Sequence, residues 1–306
     1  MNQVYVTIPA RLSLLFLICL FIPLCSHAQG PLQERIRERL RNANQVPSSK
    51  TEKINIAGLN VAVWRPVHPN GPAPLVIFSH GFHGVNTQTT FLMKALSEDG
   101  YLVMAPNHQD AFSAGNLNSK PEVSFKDVSK WNEDTYKRRG QDIYDLLVAL
   151  QNDKYWKAYI DWSKLSLAGH SLGGYTVLAL AGAWPSWKIP DFKAVLALSP
   201  YAQPFLSKGA LNRMAVPVMY QGGTLDMGIT PFVKGPNGAF AKTSSPAYFV
   251  DFTRASHFFW TNFNKDKKKQ DLINHYSLAF LDKYIKGHTN VNLDEKLDGV
   301  AELEAK

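Results

Sequence analysis

Short apolar runs alternate with stretches of helical spacing along most of this chain. Pro74-Leu-Val-Ile-Phe78 and Tyr101-Leu-Val-Met-Ala105 are continuous apolar runs, as in strands buried on both faces. Between them, residues 87–99 carry helical spacing that stops at Gly100. Upstream, residues 55–64 predict a strand pair turning near Gly58. A longer helix is expected around 134–151, then a strand at 165–168 and a helix from Leu172 to about Ala183. Strands at 194–198, 216–220 and 247–252 follow, and an amphipathic helix from about Lys268 to Lys286 closes the pattern. Alternation of this kind predicts the α/β class: a mostly parallel central sheet with helices on both faces. Two long connections, 109–132 and 227–246, are the expected binding surfaces.

The amino end departs from this pattern. Arg11 precedes an apolar run over 12–25, interrupted by Ser13 and Pro23, and Ser26-His27-Ala28 follows. A positive start, an apolar middle and small residues at the −3 and −1 positions predict a secretory signal peptide cleaved after Ala28. The run is shorter than the roughly 20 apolar residues of a membrane span. A lipoprotein signal ending at Cys25 is the alternative, against which Leu24 is large where a small residue is wanted. The expected organisation is therefore a signal peptide at 1–28, an N-terminal extension at 29–50, one domain at 51–290 and a C-terminal tail at 291–306. Leu32, Ile36 and Leu40 place one apolar stripe on the extension. A periplasmic or secreted location follows.

Composition changes this picture in two places. Both cysteines, Cys19 and Cys25, fall in the leader, so the mature chain has neither a disulfide nor a cysteine nucleophile. The 33 basic residues outnumber the 25 acidic ones, a net charge of +8. They are dispersed, with Lys267-Lys268-Lys269 the only tight run, which reads as a solvated surface. No nucleic-acid partner, no stable membrane insertion and a monomeric chain are expected.

Gly169-His170-Ser171-Leu172-Gly173 matches G-x-S-x-G, followed by Gly174. Strand-like residues precede it and helix-like residues follow, so Ser171 sits on a strand-to-helix turn that exposes a nucleophilic hydroxyl. The helix amino end behind it offers N–H groups to an oxyanion. A serine nucleophile needs a base and an orienting carboxylate, which follow it in the chain order acid, then base. Among the downstream histidines, His275 lies within the last helix and His288 beyond its end at Gly287, whereas His257 follows a strand directly. His257 is the candidate base. Asp226 is the candidate acid because the loop Gln221-Gly-Gly-Thr-Leu-Asp226 leaves a strand; Asp251, nearer in sequence, lies inside one. The loop Ser79-His80-Gly81-Phe82-His83-Gly84 supplies the second oxyanion donor, the Phe82 N–H, beside the Leu172 N–H. His80 and His83 lack a cysteine or carboxylate at ligand spacing, so no metal and no cofactor is expected.

Phe78-Ser-His-Gly-Phe82, Gly169-His-Ser-Leu-Gly-Gly174, Gly222-Gly-Thr-Leu-Asp226 and Ala255-Ser-His257 together resemble one branch of the α/β-hydrolases. That branch contains platelet-activating factor acetylhydrolases, dienelactone-hydrolase-like proteins and bacterial polyester hydrolases. The resemblance spans residues 54–286 and implies a serine esterase with an open acyl site; the stretch from Ser199 to Val216 is too short for a large cap domain. It departs from true dienelactone hydrolases, whose nucleophile is cysteine, and from polyester hydrolases that carry a disulfide. The resemblance is not specific for substrate; a small-molecule carboxylic ester, short-chain or aryl favoured, cleaved through an acyl-enzyme, is expected. Of the aromatics Phe82, Trp184, Trp187, Tyr201, Phe258, Phe259 and Trp260, the candidates for substrate contact are Phe258, Trp260 and Tyr201. A lipase, amidase or peptidase on the same fold remains open, as does a hydrolase-like binding module without catalysis.

Overall fold

The computed structural model describes residues 50–112 and 120–306. The signal peptide, its cleavage site, residues 29–49 of the extension and residues 113–119 of the first long loop lie outside the described residues. Nine strands are described: β1 (Thr51–Ile56), β2 (Leu59–Trp64), β3 (Ala73–Ser79), β4 (Leu102–Pro106), β5 (Ile160–His170), β6 (Phe192–Leu198), β7 (Val218–Gly223), β8 (Ala247–Phe252) and β9 (Val300–Ala305). They form one sheet in the order β1-β2-β4-β3-β5-β6-β7-β8-β9. The pairings from β4 through β8 are parallel, and β1, β2 and β9 attach antiparallel at the two margins. The α-helices of the described residues are α1 (Thr90–Glu98), α2 (Lys137–Asn152), α3 (Lys154–Tyr159), α4 (Leu172–Leu178), α5 (Gln203–Ser207), α6 (Thr230–Val233), α7 (Ala239–Lys242) and α8 (Lys267–Tyr284).

The continuous apolar runs have a simple cause. Successive side chains on a strand point to opposite faces, and here both faces are covered. Leu75 and Ile77 of β3 join Leu102 and Met104 of β4 in a core beneath α2 and α4. Val76 and Phe78 join Val103 and Ala105 in a second core beneath α1 and α8. Each large apolar side chain so buried contributes roughly 1.5–3 kcal/mol. The turn between β1 and β2 has positive φ at both Ala57 (53°) and Gly58 (76°), the type I′ geometry that matches strand twist in a two-residue hairpin. This is the α/β-hydrolase arrangement that the alternation and the resemblance predicted.

Three details differ from expectation. Residues 291–306 are not a free tail, because β9 pairs with β8 from Tyr248↔Ala305 to Phe252↔Val300 and completes the sheet. Glu302 and Glu304 alternate with Ala301, Leu303 and Ala305, too little apolar surface to set this short segment apart, and such charges suit a strand that ends a sheet. The 227–246 connection contains α6 and α7 rather than running without structure. Finally, α4 ends at Leu178, and a wider π-turn over Ala179–Ala183 carries the chain to Gly182, whose φ is 116°.

Register brings the chemistry together. Ser79, Gly169 and Ala197 lie side by side across β3, β5 and β6, as do Gly223 and Phe252 across β7 and β8. The loops that leave these strands therefore converge on one edge of the sheet, where ligand sites of α/β sheets form.

Candidate active site

Ser171 stands between β5 and α4 with φ 57° and ψ −118°, a conformation that L-residues rarely adopt. Its backbone is held on both sides: Ser171 N–H donates to Leu198 O at 3.1 Å, and Tyr201 N–H donates to Ser171 O at 3.0 Å. The flanking glycines follow from crowding. A Cβ on Gly169 would overlap the Gly173 carbonyl, and one on Gly173 would overlap the carbonyl of Ser79.

The loops bring Ser171, His257 and Asp226, the three residues singled out from the sequence, within hydrogen-bonding distance. His257 Nε2 lies 2.9 Å from Ser171 Oγ, and His257 Nδ1 lies 3.1 Å from Asp226 Oδ2. With Nδ1–H facing the carboxylate, Nε2 is left to accept from the serine hydroxyl. Asp226 is buried at the turn after β7, where its carbonyl accepts from Thr230 N–H at 2.9 Å. The rival acid Asp251 is engaged elsewhere, accepting from Lys234 Nζ at 3.2 Å. One residue at this junction was not foreseen. Ser199, the first residue beyond β6, has φ 43°; its hydroxyl donates to Asp226 Oδ2 and lies 2.9 Å from His257 Nδ1. A polar residue immediately after a buried strand was the one available signal.

Gly81 packs against the nucleophile turn closely enough that a Cβ would lie 3.4 Å from Ser171 Cβ. Phe82 follows it, with its ring edge-on to Phe125 at 5.5 Å and stacked on His83 at 3.9 Å. Leu172 is the first residue of α4 and its side chain is buried. Beneath this loop lies a polar network that sequence reading missed. Arg139, 2% exposed, donates through Nη1 to His80 O at 2.7 Å and through Nη2 to Gly81 O at 3.3 Å. The guanidinium is paired with Asp110 at 2.7 Å. Burial opposes ionisation of Asp110, but the Arg139 charge and hydrogen bonds outweigh it and hold the carboxyl down to about 2. His80 and His108 are both pushed well below the usual imidazole range by burial and then by Arg139, so both are neutral. His80 Nε2 accepts from His108 N–H at 3.0 Å, and Nδ1–H donates to Gly81 O at 2.7 Å. Both ring nitrogens of His80 are thus committed, Nδ1 to the loop at Gly81 and Nε2 to the backbone after β4 at His108. Among the described residues, no group of three or more His, Cys, Asp or Glu is placed to hold a metal ion.

The aromatic candidates separate by burial. Phe258 is 58% exposed beside His257, with ring centroids 5.8 Å apart, at the rim of the site. Trp260 is 0% exposed, donates Nε1–H to Gln221 Oε1 at 2.9 Å and packs against Phe252 and Phe259. Tyr201 is 3% exposed, its hydroxyl donating to Phe125 O at 2.8 Å and its ring against Trp131. Of the three residues expected to touch substrate, Trp260 and Tyr201 are therefore buried in the two cores of the sheet, Trp260 turned inward after His257 and Tyr201 packed beneath Phe125, and only Phe258 is exposed at the rim. Among the described residues, no helix is long and apolar enough to cross a membrane.

Comparison with known proteins bears on the fold and the reaction class. The chain is 24% identical over 269 residues to platelet-activating factor acetylhydrolase of Cavia porcellus. That match covers 73% of this chain, and the chain spans 60% of the relative's length. A family model described as chlorophyllase matches residues 41–235, more than half of the 306 residues and inclusive of the Ser79–Gly84 loop, Ser171 and Asp226. The chain belongs to the chlorophyllase family.

Proposed function

We propose that this protein is a serine hydrolase that cleaves carboxylic esters through an acyl-enzyme. The observation that carries the reading is the 2.9 Å approach of His257 Nε2 to the hydroxyl of a backbone-strained Ser171. Membership of the chlorophyllase family supports it, as does the similarity to a protein named for acetyl hydrolysis.

In this reading His257 takes the Ser171 proton as Oγ attacks the ester carbonyl, and Asp226 with Ser199 stabilises the imidazolium through Nδ1–H. The Phe82 and Leu172 N–H groups hold the oxyanion; the Arg139 and His80 hydrogen bonds to Gly81 O support this by fixing the peptide that carries the Phe82 N–H. His257 then gives its proton to the leaving alcohol. Water, activated by the same base, releases the acid and restores Ser171.

The substrate class is a short-chain or aryl ester, with Phe258 at the rim as its aromatic contact. On this reading residues 1–28 are a leader that sends the mature protein to the periplasm or outside the cell; peptide mass spectrometry of the exported chain should find its first residue at Gln29. Turnover of p-nitrophenyl esters of increasing acyl length, measured for the mature chain beside Ser171→Ala, tests the catalytic reading. Activity that falls with acyl length and vanishes in the variant is expected. No turnover, together with no labelling of Ser171 by a fluorophosphonate, refutes it.

A further inference from the structure

Gln88 lies in neither the nucleophile turn nor the base loop, yet hydrogen bonds from its side chain lead to both. Gly81 N–H donates to Gln88 Oε1 at 3.1 Å. Gln88 Nε2 lies 3.0 Å from His170 Nδ1, and His170 Nε2 lies 2.9 Å from the carbonyl oxygen of His257. The two ends of this chain are backbone groups with fixed roles. A backbone N–H can only donate and a carbonyl can only accept, so every link between them has one allowed direction. Gln88 must present its oxygen to Gly81 and its NH2 to His170. His170 must then accept at Nδ1 and carry its single proton on Nε2.

The His170 side satisfies the same condition independently. The ring is buried, and burial, followed by the neighbouring His257, pushes its pKa down to about 3. It is therefore neutral at any pH near 7, as a one-donor, one-acceptor ring must be. Gln88 is further held by its own backbone: Asn262 N–H donates to Gln88 O at 2.7 Å, and Asn262 Nδ2 donates to Thr87 O at 2.7 Å. Gly81 precedes Phe82, His170 precedes Ser171, and His257 is the proposed base. Each of the three elements is gripped at or next to the residue that acts.

We propose that Gln88 is a positioning residue for the reaction, its side chain and the His170 ring forming a one-directional relay that sets the oxyanion loop, the nucleophile turn and the base loop in common register. This rests on the esterase reading above. Its consequence is kinetic: the relay governs alignment in the transition state, so its loss lowers kcat and leaves KM little changed.

Two variants and one spectroscopic measurement test this. Gln88→Met keeps the size and removes both hydrogen bonds; kcat for p-nitrophenyl acetate should fall by on the order of 10²-fold, with KM within about twofold. Gln88→Glu keeps the acceptor for Gly81 N–H but removes the donor to His170. His170 can then serve both the carboxylate and the His257 carbonyl only when doubly protonated. The kcat of this variant should fall as pH rises through an ionisation that the wild-type profile lacks. In the wild type, the 15N shifts of the His170 ring should report the neutral Nε2–H tautomer.

A Gln88→Met enzyme with wild-type kcat, a Gln88→Glu profile of unchanged shape, or an Nδ1–H tautomer at His170 would each overturn the proposal. If Gln88→Met fails to fold, the other two measurements decide. Absence of ester turnover by the wild type overturns the esterase reading and the kinetic role with it, while the tautomer still reports whether the relay exists.

Discussion

The hydroxyl of Ser199 lies 2.9 Å from His257 Nδ1, slightly closer than the Asp226 carboxylate at 3.1 Å. His257 Nδ1 therefore faces two oxygens, one from the end of β6 and one from the turn after β7, and Ser199 also donates to Asp226. Removing a hydrogen bond to a charged group is worth roughly 1.5–3 kcal/mol. Ser199→Ala should therefore lower kcat by about ten- to a hundredfold, whereas Asp226→Asn, which loses the charge and disturbs the tautomer, should lower it by on the order of 10⁴-fold. Steady-state kinetics of both variants on one ester distinguishes them. Equal losses would mean that Ser199 orients the ring as much as Asp226 does.

Acid stability should depend on Asp110. Its folded pKa of about 2 lies below the roughly 3.9 of an unfolded aspartate, so its contribution is complete above pH 4 and is lost as pH falls toward 2. A shift of this size is worth about 2 kcal/mol. Chemical denaturation at several pH values should show Asp110→Asn less stable than wild type above pH 4, with the gap closing toward pH 2. A gap independent of pH would show that the Asp110–Arg139 pair does not titrate in this range.

Phe258 and Trp260 are two residues apart and should respond oppositely to truncation. Phe258→Ala removes an exposed ring from the rim and should raise KM for an aryl ester several-fold while the unfolding midpoint stays put. Trp260→Ala empties a fully buried site and orphans Gln221 Oε1, which should cost roughly 3–5 kcal/mol. Thermal melts run beside the kinetics would separate the two effects.

Removing residues 291–306 should destabilise the whole domain. The truncation deletes β9, uncovers the hydrogen-bonding edge of β8, removes the buried Leu293 and Val300, and takes away Glu302 from Lys234. With about 2–4 °C per kcal/mol for a domain of this size, the melting midpoint should drop by on the order of 10 °C. An unchanged midpoint would mean that this strand is an ornament of the sheet.

Local sequence determined the layered sheet. Buried strands must be apolar on both faces and helices on one, so runs such as Leu75–Phe78 and Leu102–Ala105 declare themselves without knowledge of their neighbours. The Gly169–Gly173 turn was equally local, because the crowding that demands its two outer glycines acts within a few residues and against the adjacent strand. Asp226 and His257 could be chosen because chain order and strand ends limit the options. The strand β9 stayed hidden, since an edge strand needs only one partner and little apolar surface. The fates of Phe258 and Trp260 turned on the direction of one turn, which composition does not encode. Ser199, the Arg139–Asp110 pair and the Gln88–His170 relay lay further out of reach. Their hydrogen bonds join residues up to 87 positions apart, as between His170 and His257, and only the folded sheet, by aligning the carboxyl ends of its strands, brings such groups within 3 Å. Sequence spacing carries periodicity, whereas a hydrogen bond requires a position in space, and the tertiary structure alone supplies it.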